Sequence, residues 1–227
     1  MRDEAGFQKA LVIASNDLDE QTISSLHDQG AAIAVWGVGT RLVTAYDEPA
    51  LGGVFKLSAV REPGGVWQYR VKLSEQAIKV SNPGVLQVRR FSDGAEFAAD
   101  LMFDEEHPPG DGCVLIDPFD PTRRKFMEPG TPYEDLLVPI FREGQPIYES
   151  PPLDEIRRRV TEQLAGFHAG VKRFLHPPAY PGGLQESLHE TKTRLVGGYR
   201  RQATGGRGKA AGCRLQVGQP GGGDSRR

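Results

Sequence analysis

A glycine-rich run at residues 37–40, Gly-Val-Gly-Thr, directly follows an apolar segment at residues 32–36 that is predicted to be a β-strand. A second predicted strand lies upstream at residues 9–14, and residues 17–29 between them have the pattern of an amphipathic helix. Strands joined in this way pair in parallel, as in a barrel or a doubly wound sheet. Because glycine has no Cβ, the backbone N–H groups after the second strand can approach an anion closely.

The predicted helix between these strands has recognisable ends. Asp17 can cap its first turn, and Glu20, three residues later, completes a capping box. Gly30 follows the last apolar position and ends the helix, since glycine tolerates left-handed backbone there. One face of the helix carries Leu18, Thr22, Ile23 and Leu26.

Alternating apolar and polar residues dominate the next part of the chain. Residues 54–61 and 66–74 alternate in this way around a Pro-Gly-Gly turn, which predicts an antiparallel hairpin with one solvated face. Further strands are predicted after turn-forming residues, at positions 85–91, 96–103 and 113–116.

The last third of the chain is predicted to be loop, helix and tail. Residues 108–152 are rich in proline and are predicted to be loop with short elements between. Residues 184–195 are predicted to form a short terminal helix, and the glycine-rich basic tail from Gly197 is predicted to be disordered. A longer helix is predicted at residues 154–175, where a 3.6-residue period joins Ile156, Val160, Leu164, Phe167, Val171 and Phe174.

The composition of the chain argues against several classes of function. Its 227 residues carry 28 Lys and Arg against 30 Asp and Glu, so no overall charge favours a nucleic-acid or membrane partner. No apolar run reaches the ~18 residues of a membrane span, and the acidic start does not resemble a signal peptide. Two cysteines are too few for a disulfide scaffold, and they are consistent with a cytoplasmic location.

Several long runs, in order along the chain, resemble nicotinate phosphoribosyltransferases. The resemblance covers roughly residues 5–195. The runs are VIASNDLDE at 12–20, DQGA at 28–31, VWGVGT at 35–40, PALGGVFKL at 49–57, KLSE at 72–75 and KVSNPG at 79–84.

The resemblance implies an α/β enzyme of NAD biosynthesis. Such an enzyme joins nicotinate to phosphoribosyl pyrophosphate, driven by ATP hydrolysis through a phosphohistidine, and releases nicotinate mononucleotide and pyrophosphate. The implied fold is the C-terminal part of the irregular, TIM-like α/β barrel of a type II phosphoribosyltransferase, followed by a mainly antiparallel β-rich domain and a C-terminal helix. The expected divisions are residues 1–53, 54–150 and 151–196, with a basic tail at 197–227.

The resemblance also carries expectations about cofactors, partners and completeness. ATP is expected as co-substrate and Mg²⁺ as a requirement of the full-length enzyme, neither of them held by this chain alone. The phosphorylated histidine and the nicotinate-binding residues of the family correspond to sequence upstream of Met1. We therefore expect a truncated, inactive chain that forms a homodimer or pairs with an N-terminal half. The alternative is a non-catalytic interaction or dimerisation module that binds an intact or N-terminal partner.

Five residues are predicted to bind substrate. With the resemblance, the N–H groups of Gly37 and Gly39 and the Thr40 hydroxyl are expected to hold the 5′-phosphate of phosphoribosyl pyrophosphate, assisted by the start of a following helix. Ser15 and Asn16, at the end of the first strand, are expected to face the same mouth and contact ribose or phosphate. Helix capping explains these two residues equally well. No catalytic residue and no metal ligand is predicted in this chain.

Other charged residues are predicted to have ordinary surface roles. Lys56 could reach a phosphate, but a solvated position on a strand is slightly favoured. The basic runs at residues 123–125 and 157–159 are predicted to be solvated faces. His107 and His176 precede proline pairs in loops, and neither has metal-ligand spacing to another His or Cys.

Overall fold

A computed structural model describes residues 6, 7, 9–50 and 52–205 of this mixed α/β chain. Residue contacts divide the chain into two compact units. Unit 1 comprises Met1–Lys56, Arg90–Ala99 and Val138–Pro181, and unit 2 comprises Leu57–Arg89, Asp100–Leu137 and Gly182–Arg227.

The described strands and α-helices are named in the order in which they follow one another along the chain. They are β1 (Ile13–Ser15), α1 (Glu20–Asp28), β2 (Val35–Gly37), α2 (Thr40–Val43), β3 (Ala59–Val60), β4 (Gln68–Tyr69), β5 (Leu86–Asp93), β6 (Glu96–Asp104), β7 (Cys113–Ile116), β8 (Arg124–Met127), β9 (Tyr133–Asp135), β10 (Phe141–Arg142), β11 (Gln145–Pro146), α3 (Leu153–Ala165), β12 (Gly182–Gln185) and α4 (Glu186–Gly205).

The predicted strand–helix–strand motif opens unit 1. β1 and β2 pair in parallel, with Ser15 opposite Gly37, and α1 connects them. The parallel β-α-β prediction is therefore confirmed, although each strand is shorter than predicted and begins later. The pairing brings the carboxyl ends of the two strands, and the segments that follow them, side by side.

Helix α1 begins later than the sequence predicts. Asp19 is its N-cap, because the Asp19 carboxylate accepts the Thr22 N–H at 2.7 Å and the Asp19 backbone is extended. The prediction that Asp17 caps the helix is wrong: Asn16 and Asp17 have positive φ angles of 87° and 45°, and the chain uses them to turn from β1 towards the helix. The predicted end is confirmed, since Gly30 follows the last turn with a φ of 73°.

Helix α3 ends at Ala165 rather than near residue 175. The cause is packing around Gly166, whose carbonyl oxygen accepts the Phe97 N–H at 2.7 Å and where a Cβ would lie 2.5 Å from the Phe97 ring. Phe167 leaves the helical period and packs edge-to-face between Phe97 and Tyr180, with ring centroids 5.1 and 5.0 Å away. A tertiary aromatic cluster thus overrides the helical periodicity of the sequence.

A six-stranded sheet has the order β8-β7-β12-β6-β5-β9. The predictions of β5, β6 and β7 are confirmed, while β12 replaces the start of the predicted helix at 184–195. β12 lies parallel to β6 and antiparallel to β7, between them. Gly183 makes this position possible, since a Cβ there would lie 2.4 Å from the Ile116 carbonyl oxygen. A Gly-Gly pair carries no apolar alternation, so the sequence pattern gives no indication of this strand.

Helix α4 continues to Gly205, well beyond the predicted end at residue 195. It packs against β7 and β12, and its residue Leu188 is 2% exposed. The expectation of a disordered tail from Gly197 is therefore wrong for residues 197–205, because tertiary packing stabilises the helix despite its glycines. Residues 206–227, the rest of that tail, lie outside the described part of the chain.

The two units differ in their apolar interiors. Among the described residues, the buried apolar side chains of unit 2 are Pro83, Leu101, Phe103, Leu115, Ile116, Met127, Leu184 and Leu188, and those of unit 1 are Leu18, Phe91 and Ala99. Both units also expose large apolar side chains, those of unit 1 on β1, β2 and α3 and those of unit 2 at positions such as Ile78, Phe119 and Phe126. The expected divisions at residues 53, 150 and 196 stay a prediction. None of the described helices is long and apolar enough to cross a membrane.

Candidate functional site

A cavity of about 220 Å³ lies in unit 1 where β1 and β2 end. Because the strands are parallel, the segments that follow them meet at one edge. Its lining residues are Asn16, Asp17, Leu18, Gly37, Gly39, Thr40 and Arg41. Four of the five predicted substrate-binding residues thus share one cavity. The fifth, Ser15, is paired with Gly37 in the sheet and is not among the lining residues.

The two glycines of the cavity are there for different reasons. A Cβ at Gly37 would lie 3.2 Å from the Cβ of Ser15, so the close approach of β1 and β2 favours glycine at this position. A Cβ at Gly39 would meet nothing within 4 Å. Neighbouring atoms therefore do not require glycine at position 39. A glycine there keeps the cavity wall low, which is what a ligand approaching the backbone needs.

Both signs of charge are present on the cavity wall. Arg41 is a lining residue, and its guanidinium lies 3.9 Å from the centroid of the Tyr46 ring and 3.8 Å from Oδ1 of Asp47, contacts that restrain this side chain. Asp17 supplies a carboxylate on the opposite segment. Behind it, the side-chain and backbone hydrogen bonds of Thr22 lower the pKa of Asp19, the helix cap.

The helix after the second strand is shorter than the phosphate hypothesis expects. α2 is a single turn of 4 residues, so its dipole contributes little to anion binding. The N–H groups of Thr40 and Arg41 open this turn and therefore have no partner inside the helix. Backbone donors, rather than a helix dipole, are what this edge can offer an anion.

Sequence reasoning missed Asp17, Leu18 and Arg41 as lining residues. The sequence favours Asp17 as the helix cap, and its left-handed backbone has no clear signature in the sequence. Leu18 is predicted only to share a helix face with Thr22, Ile23 and Leu26; the structure buries it and places it among the lining residues. Arg41 directly follows the glycine-rich run, and this adjacency is the signal that could have indicated it.

The remaining charged candidates are not among the residues that line this cavity. Lys56 is half-buried. Arg157 and Arg158 are exposed and lie 3.8 Å and 3.1 Å from carboxylates of their own helix, as expected of a solvated face. Within the described ranges, no group of three or more His, Cys, Asp or Glu side chains could hold a metal ion.

Comparison with known proteins gives consistent matches. A family model of the nicotinate phosphoribosyltransferase C-terminal domain matches residues 87–192. Nicotinate phosphoribosyltransferase of Bacillus subtilis is 37% identical over 207 residues, which covers 86% of this chain and 42% of that protein. Nicotinate phosphoribosyltransferase 2 of Arabidopsis thaliana is 36% identical, with 82% of this chain and 33% of that protein covered.

The fold has a counterpart among solved structures. The crystal structure of human nicotinic acid phosphoribosyltransferase matches with a TM-score of 0.59 at 22% identity, over 86% of this chain and 36% of that one. The fold and the cavity define a mixed α/β protein with backbone donors at the carboxyl ends of parallel strands. The chain belongs to the nicotinate phosphoribosyltransferase family, and it spans less than half the length of the relatives it matches.

Proposed function

We propose that this chain supplies the phosphoribosyl-binding wall of a nicotinate phosphoribosyltransferase, which joins nicotinate to phosphoribosyl pyrophosphate. The observation that carries the proposal is the convergence of Asn16, Gly37, Gly39 and Thr40 on one cavity at the ends of two parallel strands. The Bacillus relative supports the proposal. Its match covers 86% of this chain, and the part left unmatched is too short to reach residues 36–40 from either end.

The proposed role of the cavity is to hold the 5′-phosphate. The N–H groups of Gly39 and Thr40 and the Thr40 hydroxyl donate to phosphate oxygens, and Arg41 adds a positive charge. Asn16 contacts the ribose from the opposite strand end, and Ser15 supports it from within the sheet. Anchoring the phosphate in this way fixes the ribose carbon at which nicotinate replaces pyrophosphate.

ATP and Mg²⁺ enter only as expectations for the whole enzyme. The described residues offer no group of three or more His, Cys, Asp or Glu side chains that could hold a metal ion, so the proposal gives this chain no role in binding Mg²⁺. The catalytic groups are proposed to come from another part of the protein or from a partner. A barrel completed around β1 and β2, a homodimer and a cytoplasmic location belong to the same proposal.

Binding of phosphoribosyl pyrophosphate tests the proposal directly. In calorimetric titrations of the 227-residue chain, Gly39→Ala is expected to weaken binding at least ~10-fold, because the new methyl group occupies the approach to the backbone. Thr40→Val keeps the shape but removes the hydroxyl, and is expected to cost about 1.5 kcal/mol, again roughly 10-fold. Thr161→Val, on the exposed face of α3, is the matched control and should leave the Kd unchanged.

Two results would overturn this role. One is the absence of saturable binding to the unmodified chain, and the other is equal affinity for the Gly39→Ala and Thr161→Val variants. Open space surrounds the Cβ position of Gly39, so the new methyl group of Gly39→Ala meets no neighbouring atom of the chain. Far-UV circular dichroism of each variant checks that it is folded.

Activity of the 227-residue chain alone is expected to be absent. Supplied with nicotinate, phosphoribosyl pyrophosphate, ATP and Mg²⁺, the purified chain should form no nicotinate mononucleotide, while the full-length Bacillus relative does so in the same assay. Product formed by the chain at a rate near that of the relative would contradict the proposed division of labour.

A non-catalytic interaction module is the second candidate, and one observation favours it. Ile156, Val160 and Leu164 form an apolar row along α3 that is about half exposed. Co-expression with an N-terminal half distinguishes the two: restored activity supports the split-site proposal, and stable binding without activity supports the module.

A further inference from the structure

Unit 2 contains a cavity of about 180 Å³ that the proposed function does not use. It lies between β4, the end of β6 with the turn that follows, and the first three turns of α4. Six polar side chains line it, namely Tyr69, Asp104, His107, Ser187, Thr191 and Arg194. Leu188, buried in unit 2, contributes an apolar part of the wall.

Asp104 is the fixed centre of this cavity. Its side chain is 5% exposed, and it accepts hydrogen bonds from the Tyr69 hydroxyl, from Nδ1 of His107 at 2.9 Å and from the Val85 N–H at 2.9 Å. Gly84, with a φ of 108°, leaves room for the carboxylate, because a Cβ there would lie 3.0 Å from it. The buried charge is thus stabilised by donors from three directions.

The pKa values in this cluster follow from that geometry. Burial by itself raises the pKa of Asp104, but the hydrogen bonds from His107, Tyr69 and the Val85 and Glu106 N–H groups together bring it below its usual value. Burial, the bond to Asp104 and the nearby charge of Glu106 raise the pKa of Tyr69 strongly. Asp104 therefore stays ionised and Tyr69 stays protonated at neutral pH.

A saturated Asp104 acts as an orienting group rather than as a ligand contact. Its oxygens are occupied by protein donors, so a ligand gains little by competing for them. Its bond to Nδ1 leaves Nε2 as the free nitrogen of His107, whose side chain is 69% exposed at the rim. The hydrogen bond from the Tyr69 hydroxyl to Asp104 holds the Tyr69 ring at the cavity wall.

The helix face opposite supplies the groups that select a ligand. Ser187, Thr191 and Arg194 are spaced four and three residues apart, so they lie on one face of α4. Two hydroxyls and a guanidinium on one face favour an oxyanion, and Arg binds a carboxylate through two parallel hydrogen bonds. Leu188 and the Tyr69 ring offer an apolar surface beside them.

We propose that this cavity binds a small organic acid, with its carboxylate on Arg194 and the α4 hydroxyls and its apolar body against Leu188 and the Tyr69 ring. A singly charged acid suits the site better than phosphate, because the buried Asp104 carboxylate at the centre of the cavity repels a second negative charge. The proposal stands independently of the phosphoribosyl role.

Benzoate is the probe that tests this site. In saturation-transfer NMR and calorimetric titrations of the whole chain, benzoate should bind saturably, and Arg194→Gln should weaken it at least ~10-fold. Thr191→Val, which keeps the shape, should weaken it about 3-fold. Arg157→Gln, an exposed arginine on α3, is the matched control and should change the Kd less than 2-fold.

Three outcomes would overturn the proposal. They are no saturable benzoate binding, equal losses in Arg194→Gln and Arg157→Gln, and inorganic phosphate binding as tightly as benzoate. The last outcome would mean that the cavity senses charge alone. Arg194 is exposed, so Arg194→Gln is expected to fold, and circular dichroism verifies this.

Discussion

Unit 2 buries more apolar side chains than unit 1 does. Unit 2 buries Leu101, Ile116 and Leu184 around a sheet, with Leu101 fully enclosed. Unit 1 leaves Leu11 and Ile13 about two-thirds exposed beside a parallel pair of only two strands. Burial of apolar surface is the main favourable term in folding, so the stability of the chain comes chiefly from unit 2. Unit 1 is expected to rely on further chain to cover its strands.

The difference also separates the kinds of site that each unit holds. The unit 1 cavity lies at the ends of β1 and β2. Within the part of the chain that the structure describes, these two strands pair only with each other, so each leaves one edge unpaired. The unit 2 cavity is built around a buried carboxylate with fixed partners. The unit 1 cavity therefore has the features of a site that other parts of a protein help to enclose. The unit 2 cavity has those of a self-contained site.

A pair of leucine truncations tests the contrast in stability most strongly. Leu101→Ala creates a cavity in the enclosed interior of unit 2 and is expected to cost about 2–5 kcal/mol of unfolding free energy. Leu164→Ala removes a side chain that is 52% exposed on α3 and should cost less than about 1 kcal/mol. Urea denaturation measures both, and similar costs would break the comparison.

A pair of glycine substitutions tests how β12 fits into the sheet. Gly183→Ala places a methyl group 2.4 Å from the Ile116 carbonyl oxygen and is expected to cost about 3 kcal/mol. Gly182→Ala, one residue earlier, meets nothing within 4 Å and should be close to neutral. Thermal or urea unfolding compares the two variants, and equal stability would contradict the position of β12 between β7 and β6.

Removal of the Asp104 charge tests the buried cluster. Asp104→Asn is expected to cost about 2 kcal/mol at neutral pH, because hydrogen bonds to an ionised acceptor are lost. The folded pKa of Asp104 lies below its ordinary 3.8, so the stabilisation is complete above that value and is lost as the pH falls from there through the folded pKa. Urea titrations at pH 7 and below pH 4 should show the gap between wild type and variant narrowing in acid; a constant gap would contradict this.

The smallest expected effect concerns the start of α1. Asp19→Ala removes the cap of the Thr22 N–H and should speed amide exchange in the first turn of α1, while Asp17→Ala should leave the helix unchanged. Amide hydrogen exchange of the first turn of α1 reports the difference. Faster exchange in Asp17→Ala than in Asp19→Ala would restore Asp17 as the cap.

Periodicity and turn residues predicted the elements whose formation depends on neighbours close in sequence. The strand–helix–strand motif, the hairpin of β3 and β4, and strands β5 to β7 follow from periodicity and turn residues. β12 and the end of α3 escaped prediction because close contacts at Gly183 and Gly166 with distant residues decide them. The length of α4 likewise depends on packing against β7 and β12.

The candidate site was predictable to the same extent. Gly37, Gly39 and Thr40 carry a recognisable signal, and parallel pairing follows from the motif, so their meeting with Asn16 could be expected. The position of Asp17 in the cavity lining could not be predicted, because an aspartate between a strand and a helix has the same sequence pattern whether it caps the helix or adopts a left-handed backbone. The Asp104 cluster depends on contacts across more than 30 positions, which no short pattern encodes.

Selective ¹⁵N-glycine labelling tests the central claim most directly. Heteronuclear NMR spectra of the chain, recorded while phosphoribosyl pyrophosphate is added, report each glycine amide separately. We predict saturable shifts of the amides of Gly39, a proposed phosphate donor, and of Gly37, which lines the same cavity, with Gly130 and Gly144 in exposed turns unchanged. Gly37 and Gly39 amides that stay in place at saturating ligand, or shift no more than those of Gly130 and Gly144, would contradict a phosphoribosyl site at this strand edge.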